Sequence, residues 1–101
     1  MIIREKTSPS PFSGFAKVVV DIERRILSVG CDLHMDCAGE LIRAGSLPKN
    51  LWGANIYPAE KKIDFVSLLN IRPADGNRAM DITIPEIKEK VQVIIRELLL
   101  S

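Results

Sequence analysis

The chain has 101 residues, enough for one domain and too few for two. Its 47% hydrophobic and 27% charged content excludes a disordered chain, and a net charge of +1 from 14 basic and 13 acidic residues excludes the basic surface of a general nucleic-acid binder. No apolar run approaches a membrane span, and Met1-Ile2-Ile3 meets Arg4-Glu5-Lys6 at once, so neither a membrane partner nor a secretory leader is expected.

Residues 1–16 are expected to form a short strand (1–5) and a loop (7–14). Pro9 and Pro11 remove backbone donors and restrict the residues before them. Val18-Val19-Val20 is a poor helical run and a good strand, which predicts a hairpin of strands 17–23 and 26–30 turning at Arg24-Arg25. A helical reading of 17–30 also fits the spacing of Val18, Val19, Ile22 and Ile26. Cys31 and Cys37 are too few for a disulfide framework and are expected to be reduced thiols, with the cytoplasm as the location. Asp36 is expected to cap a helix over 37–44, and Gly45 to close it.

Residues 51–57 alternate Trp52, Ala54 and Ile56 against Gly53, Asn55 and Tyr57, the pattern of a strand, and Pro58 stops it. Residues 63–72 read as a second strand, apolar on both sides at its centre, with Asn70 and Arg72 on one side. Pro73 to Asn77 reads as a loop and 80–84 as a short edge strand. Pro85 and Glu86 open a helix whose apolar positions, Ile87, Val91, Ile94, Ile95 and Leu98, recur at helical spacing. The fold class is therefore α+β, a single domain over 1–101. It has a mostly antiparallel sheet of four to five strands and two helices on one face, in the order β-ββ-α-ββ-(β)-α. Its second face would then carry apolar surface that self-association could bury.

The segments Val19 to Glu23, Leu33 to Asp36, Leu51 to Pro58 (LWGANIYP), and Ser67 to Pro73 with Gly76-Asn77-Arg78 (SLLNIRPADGNR) are similar to those of a family of small prokaryotic proteins of unknown function. The resemblance spans 17–99. It implies no catalytic residue or cofactor. Members carry glycine where Cys31 stands and often alanine where Cys37 stands, so a thiol function would be particular to this chain. They also tend to have a helix before the hairpin, where this chain has prolines.

Two constellations remain. Cys31, His34, Asp36, Cys37 and Glu40 include a Cys-x2-His-x2-Cys run, but a zinc site wants a second half that is missing, so no metal is expected. Asn70, Arg72, Asn77 and Arg78, with Asn55 and Tyr57 on the neighbouring strand, could form a polar pocket whose guanidiniums clamp a carboxylate or phosphate. A structural turn and a hydrogen-bonded network explain the same residues. Trp52 is expected in the core or at an interface. No nucleophile elbow, phosphate loop or dinucleotide-binding glycine pattern occurs. The expected function is a non-enzymatic, homodimeric binding module with an anion-accepting pocket at Arg72 and Arg78. The alternative is a small hydrolase acting on an anionic metabolite, with His34 or Asp36 as general base.

Overall fold

A computed structural model describes residues 1–7, 12 and 14–100. The first strand, β1 (Ile2–Ile3), is followed by the hairpin of β2 (Ala16–Asp21) and β3 (Ile26–Cys31), so the strand reading of this region holds. Most of the loop expected over 7–14 lies outside the described residues. The turn uses Asp21, whose carboxylate accepts from the backbone N–H of both Glu23 and Arg24 at 3.0 Å, while Arg25 takes a positive φ of 56°. An Asx-type turn thus replaces the Asn-Gly chemistry that a tight hairpin usually needs.

Helix α1 runs His34–Arg43, three residues earlier at its start than expected. Leu33 occupies the cap position without a side-chain bond, so Asp36 is not the cap; it stands in the first turn, where its charge opposes the helix dipole. Gly45, at φ 103°, closes the helix, with Ser46 N–H donating to Leu41 O and Gly45 N–H to Ile42 O. Arg24, from the hairpin turn, donates to Ala44 O and so ties the turn to the helix end.

Strand β4 (Leu51–Tyr57) pairs with β2, and β5 (Lys62–Asp64) pairs with β4. All pairings are antiparallel, in the order β1-β3-β2-β4-β5. The strand expected over 63–72 ends at Asp64; 3-10 turns at Leu68–Asn70 and Pro73–Asp75 replace it. Ser67 Oγ accepts from Leu69 N–H and starts the first of these turns. The edge strand expected over 80–84 is reduced to one bridge between Val66 and Asp81. Helix α2 (Pro85–Leu99) forms as expected.

The two helices lie on opposite faces of the sheet, not on one. Val18, Val20, Leu27, Val29, Trp52 and Ile56 pack with Val91, Ile94, Ile95 and Leu98 of α2. Val19, Ile26 and Leu51 pack with Cys37, Ala38 and Leu41 of α1. Successive residues of β2 point to opposite faces, and each face has its own helix. Val19 is therefore covered within the domain, and the apolar surplus that suggested a dimer is not left open there. Among the described residues no helix is long and apolar enough to cross a membrane.

Cys31 and Cys37 are joined in a disulfide, with Cα atoms 5.7 Å apart. This overturns the expectation of two reduced thiols and removes the support it lent to a cytoplasmic location. It also takes both sulfurs out of any metal-binding set.

Candidate functional site

The residues from Asn70 to Arg78 are turned into the fold. The Asn70 side chain is wholly buried. Its Oδ1 accepts from Gly53 N–H at 2.9 Å, and its Nδ2 donates to the carbonyls of Gly53, Phe65 and Met80 at 2.9, 3.2 and 3.0 Å. One primary amide thus makes both bonds that a neighbouring strand would make to Gly53. Asn77, also wholly buried, donates to the carbonyls of Asn70, Ala79 and Asp81 and accepts from Thr83 N–H and Oγ1–H.

The Arg72 guanidinium donates to the carbonyls of Leu69, Lys49, Pro48 and Leu51, and lies 4.2 Å from the centre of the Trp52 ring. Burial lowers its pKa from the ordinary value, partly offset by the Asp75 carboxylate. Its donors face main-chain carbonyls, while Arg78 is exposed. The structure therefore gathers Asn70, Arg72 and Asn77 into one network, but as a frame under β4. Tyr57 stands apart from them, against Phe15 with ring centres 5.4 Å apart, and Asp36 is exposed on α1.

His34 and Asn55 meet elsewhere. A cleft of about 420 Å³ opens between the start of α1, the strands β2 and β4, and the segment 66–69. Phe15, Leu33, Met35, Val66, Leu68 and Met80 give it apolar walls, and His34, Asn55, Ser67 and Lys17 supply its polar groups. Asn55 is 7% exposed. Its Nδ2 donates to Val66 O at 3.0 Å, which fixes the amide's orientation, and beside neutral His34 its buried Oδ1 has no hydrogen-bond partner among the described residues. The His34 Nε2 lies 2.8 Å from Ala54 O. A carbonyl can only accept, so Nε2 carries the proton and Nδ1 keeps a lone pair.

Burial lowers the His34 pKa below its ordinary 6.5 and outweighs the opposing hydrogen bond to Ala54 O; Lys17 lowers it further, and a side-chain hydrogen bond with Asn55, which favours the charged ring, raises it. The folded state thus favours neutral imidazole. A depressed folded pKa gives stability that is complete above pH 6.5 and is lost as pH falls through the folded value. Glu40 acts in a separate, lower window: the Ser28 hydroxyl, then the Met1 ammonium, hold its carboxyl below the ordinary 4.5. Denaturant unfolding across pH should therefore show two stages of acid loss. His34→Gln, which can still donate to Ala54 O, should remove only the upper stage; an unchanged profile in that variant contradicts the assignment.

A family model described as protein of unknown function (DUF5674) matches residues 3–98. The chain belongs to the DUF5674 family. No curated protein and no solved structure matches it. The match takes in both the network under β4 and the cleft of this DUF5674 chain. Sequence reasoning named the cleft's polar residues His34 and Asn55, but not its apolar rim. Leu33, Met35, Leu68 and Met80 are 60%, 65%, 73% and 42% exposed. The one available signal was that Leu33 and Met35 flank a histidine at a helix start.

Proposed function

We propose that this domain is a non-enzymatic binding module and that its site is the cleft framed by His34 and Asn55. The ligand class is a small, largely apolar molecule with one hydrogen-bond donor at its head. The carrying observation is Asn55 Oδ1, a buried acceptor without a partner on the wall of an apolar cleft. Such an atom costs about 1–3 kcal/mol to leave unmet, and a ligand donor would recover that. The exposed rim would cover the ligand's apolar body, and the Lys17 ammonium can meet an acceptor at the mouth.

Acetanilide and phenyl acetate have similar shapes, but only the first carries an N–H. In amide chemical-shift titrations acetanilide should perturb residues 33–35, 55 and 66–69 and bind roughly tenfold more tightly, the worth of about one hydrogen bond. Leu68→Glu, at an exposed position, should abolish the effect without loss of fold. Equal affinities for the two compounds would remove the role given to Asn55.

The anion pocket at Arg72 and Arg78 has weaker support, because the Arg72 donors already face four carbonyls. The hydrolase alternative has weaker support for the same reason; in addition, Asp36, its other candidate base, is exposed on α1 and does not line the cleft. Self-association through the apolar rim is a secondary part of the proposal, which sedimentation at rising concentration would show as a growing mass that Leu68→Glu prevents. A cytoplasmic location belongs to the proposal on composition alone.

A further inference from the structure

We propose that Cys31–Cys37 is a redox-reactive site, opened by a thiol at Cys31 Sγ, whose state sets the wall of the His34–Asn55 cleft. The cleft half of this inference rests on the binding reading above.

The two sulfurs differ in access. Cys37 is wholly buried against Val19, Ile26 and Leu41, whereas Cys31 is half-buried and lines an open hollow of about 310 Å³ with Phe15, Lys17, Gly30 and Asp32. Lys17 is also the cross-strand partner of Cys31 and lines the same hollow, its ammonium 4.8 Å from the centre of the Phe15 ring, so a positive charge stands at the hollow that an incoming thiolate would enter. Cys37 sits at the fourth position of α1, where the helix N-terminus offsets part of the cost that burial puts on a departing thiolate.

The bond is a poor candidate for a staple. It closes only the short stretch from the end of β3 to the first turn of α1. Each cysteine is already held by its own element, the α2 face is packed without it, and on the α1 face Val19, Ile26, Ala38, Leu41 and Leu51 pack beside it. What it does hold is Leu33, His34 and Met35, three residues of the cleft wall that lie inside the closed loop. Leu33 and Met35 are too exposed to be fixed by packing. His34 and Met35 are also held by the helix they open, Leu33 by the bond its carbonyl accepts from Asp36 N–H, and His34 by Ala54 O; the disulfide adds the covalent tether that closes this stretch onto β3.

The reaction with a dithiol balances in two exchanges. A thiolate of the dithiol attacks Cys31 Sγ, an S–S bond forms between them, and Cys37 leaves with the electron pair and takes a proton from solvent. The second thiol then attacks the mixed disulfide, releases Cys31 as a thiolate that is protonated, and closes the oxidised dithiol. Two electrons and two protons pass from the reductant to the cysteines.

The test compares the full chain, oxidised and after dithiothreitol, with the permanently open variant C31A/C37A. Native-state hydrogen exchange at 36–38, the first N–H groups of α1 that bond back onto 33 and 34, should rise at least tenfold on reduction, with α2 unchanged, and the variant should match the reduced protein in both conditions. The affinity of the apolar dye anilinonaphthalene sulfonate should change at least threefold between the two states. Oxidised glutathione should label Cys31 in C37A and leave Cys37 in C31A unlabelled. Equal exchange at 36–38 in both states, a uniform rise over the whole domain, or labelling of Cys37 alone would overturn the inference. A dye that binds neither state while exchange at 36–38 still responds would overturn the binding reading and uphold the redox site.

Discussion

Asn70→Ala should cost about 4 kcal/mol of folding stability, near the upper end for a single substitution. The amide is wholly buried and makes four hydrogen bonds, and every partner is main chain: Gly53 N–H and the carbonyls of Gly53, Phe65 and Met80. Alanine removes all four while leaving the partners in place. A buried group left unmet costs about 1–3 kcal/mol, with water relieving some of those nearest the surface. Denaturant unfolding should show the loss, and melting should fall by more than about 15 °C in a domain of this size. Asn70→Asp is the informative companion. It keeps the acceptor for Gly53 N–H but turns the donor into an oxygen facing three carbonyls, so it should be no better than alanine. A cost below about 1 kcal/mol for alanine would show that 65–83 is not held to β4 by this side chain.

Gly53→Ala should cost about 3 kcal/mol, from overpacking and not from conformation. Gly53 lies in β4 with a Cβ-sized gap already filled: an added Cβ would stand 2.5 Å from both Cβ and Oγ of Ser67 and 3.4 Å from Cδ2 of His34. The Ser67 Cβ cannot swing away as the end of a long side chain could, so 66–70 or β4 must shift. Such a shift would strain the Asn70 bonds and narrow the cleft together. Adding Ser67→Gly should return much of the loss, and a double-mutant cycle in which the two changes simply add would refute the clash.

The strands and helices that are held by burial were legible in the sequence. Alternation through 51–57 and the helical spacing of Val91, Ile94, Ile95 and Leu98 report a periodic environment, and the structure supplies that environment. The segment 63–72 has a similar alternation but a different cause. Ser67 and Asn70 bond to the main chain, and those bonds, not a sheet face, set its path. Val18-Val19-Val20 read correctly as a strand. Three successive buried residues there also signal cover on both faces, and the placement of both helices on one face missed it. For the cleft, His34 and Asn55 stood out as polar types, while the exposure of Leu68 and Met80 depends on a turn that periodicity does not reveal.

The frame under β4 also bears on how the protein behaves among many copies of itself. The outer side of β4 is taken up along its length, by Arg72 on Leu51 O, Asn70 on both groups of Gly53, and β5 from Asn55 to Tyr57. A sheet that ended there in bare main chain would invite a strand from another molecule. Here β5 covers one end and the side chains of Arg72 and Asn70 occupy the groups of 51–53 that it does not reach, so along that stretch two polar residues do what a longer strand would otherwise do.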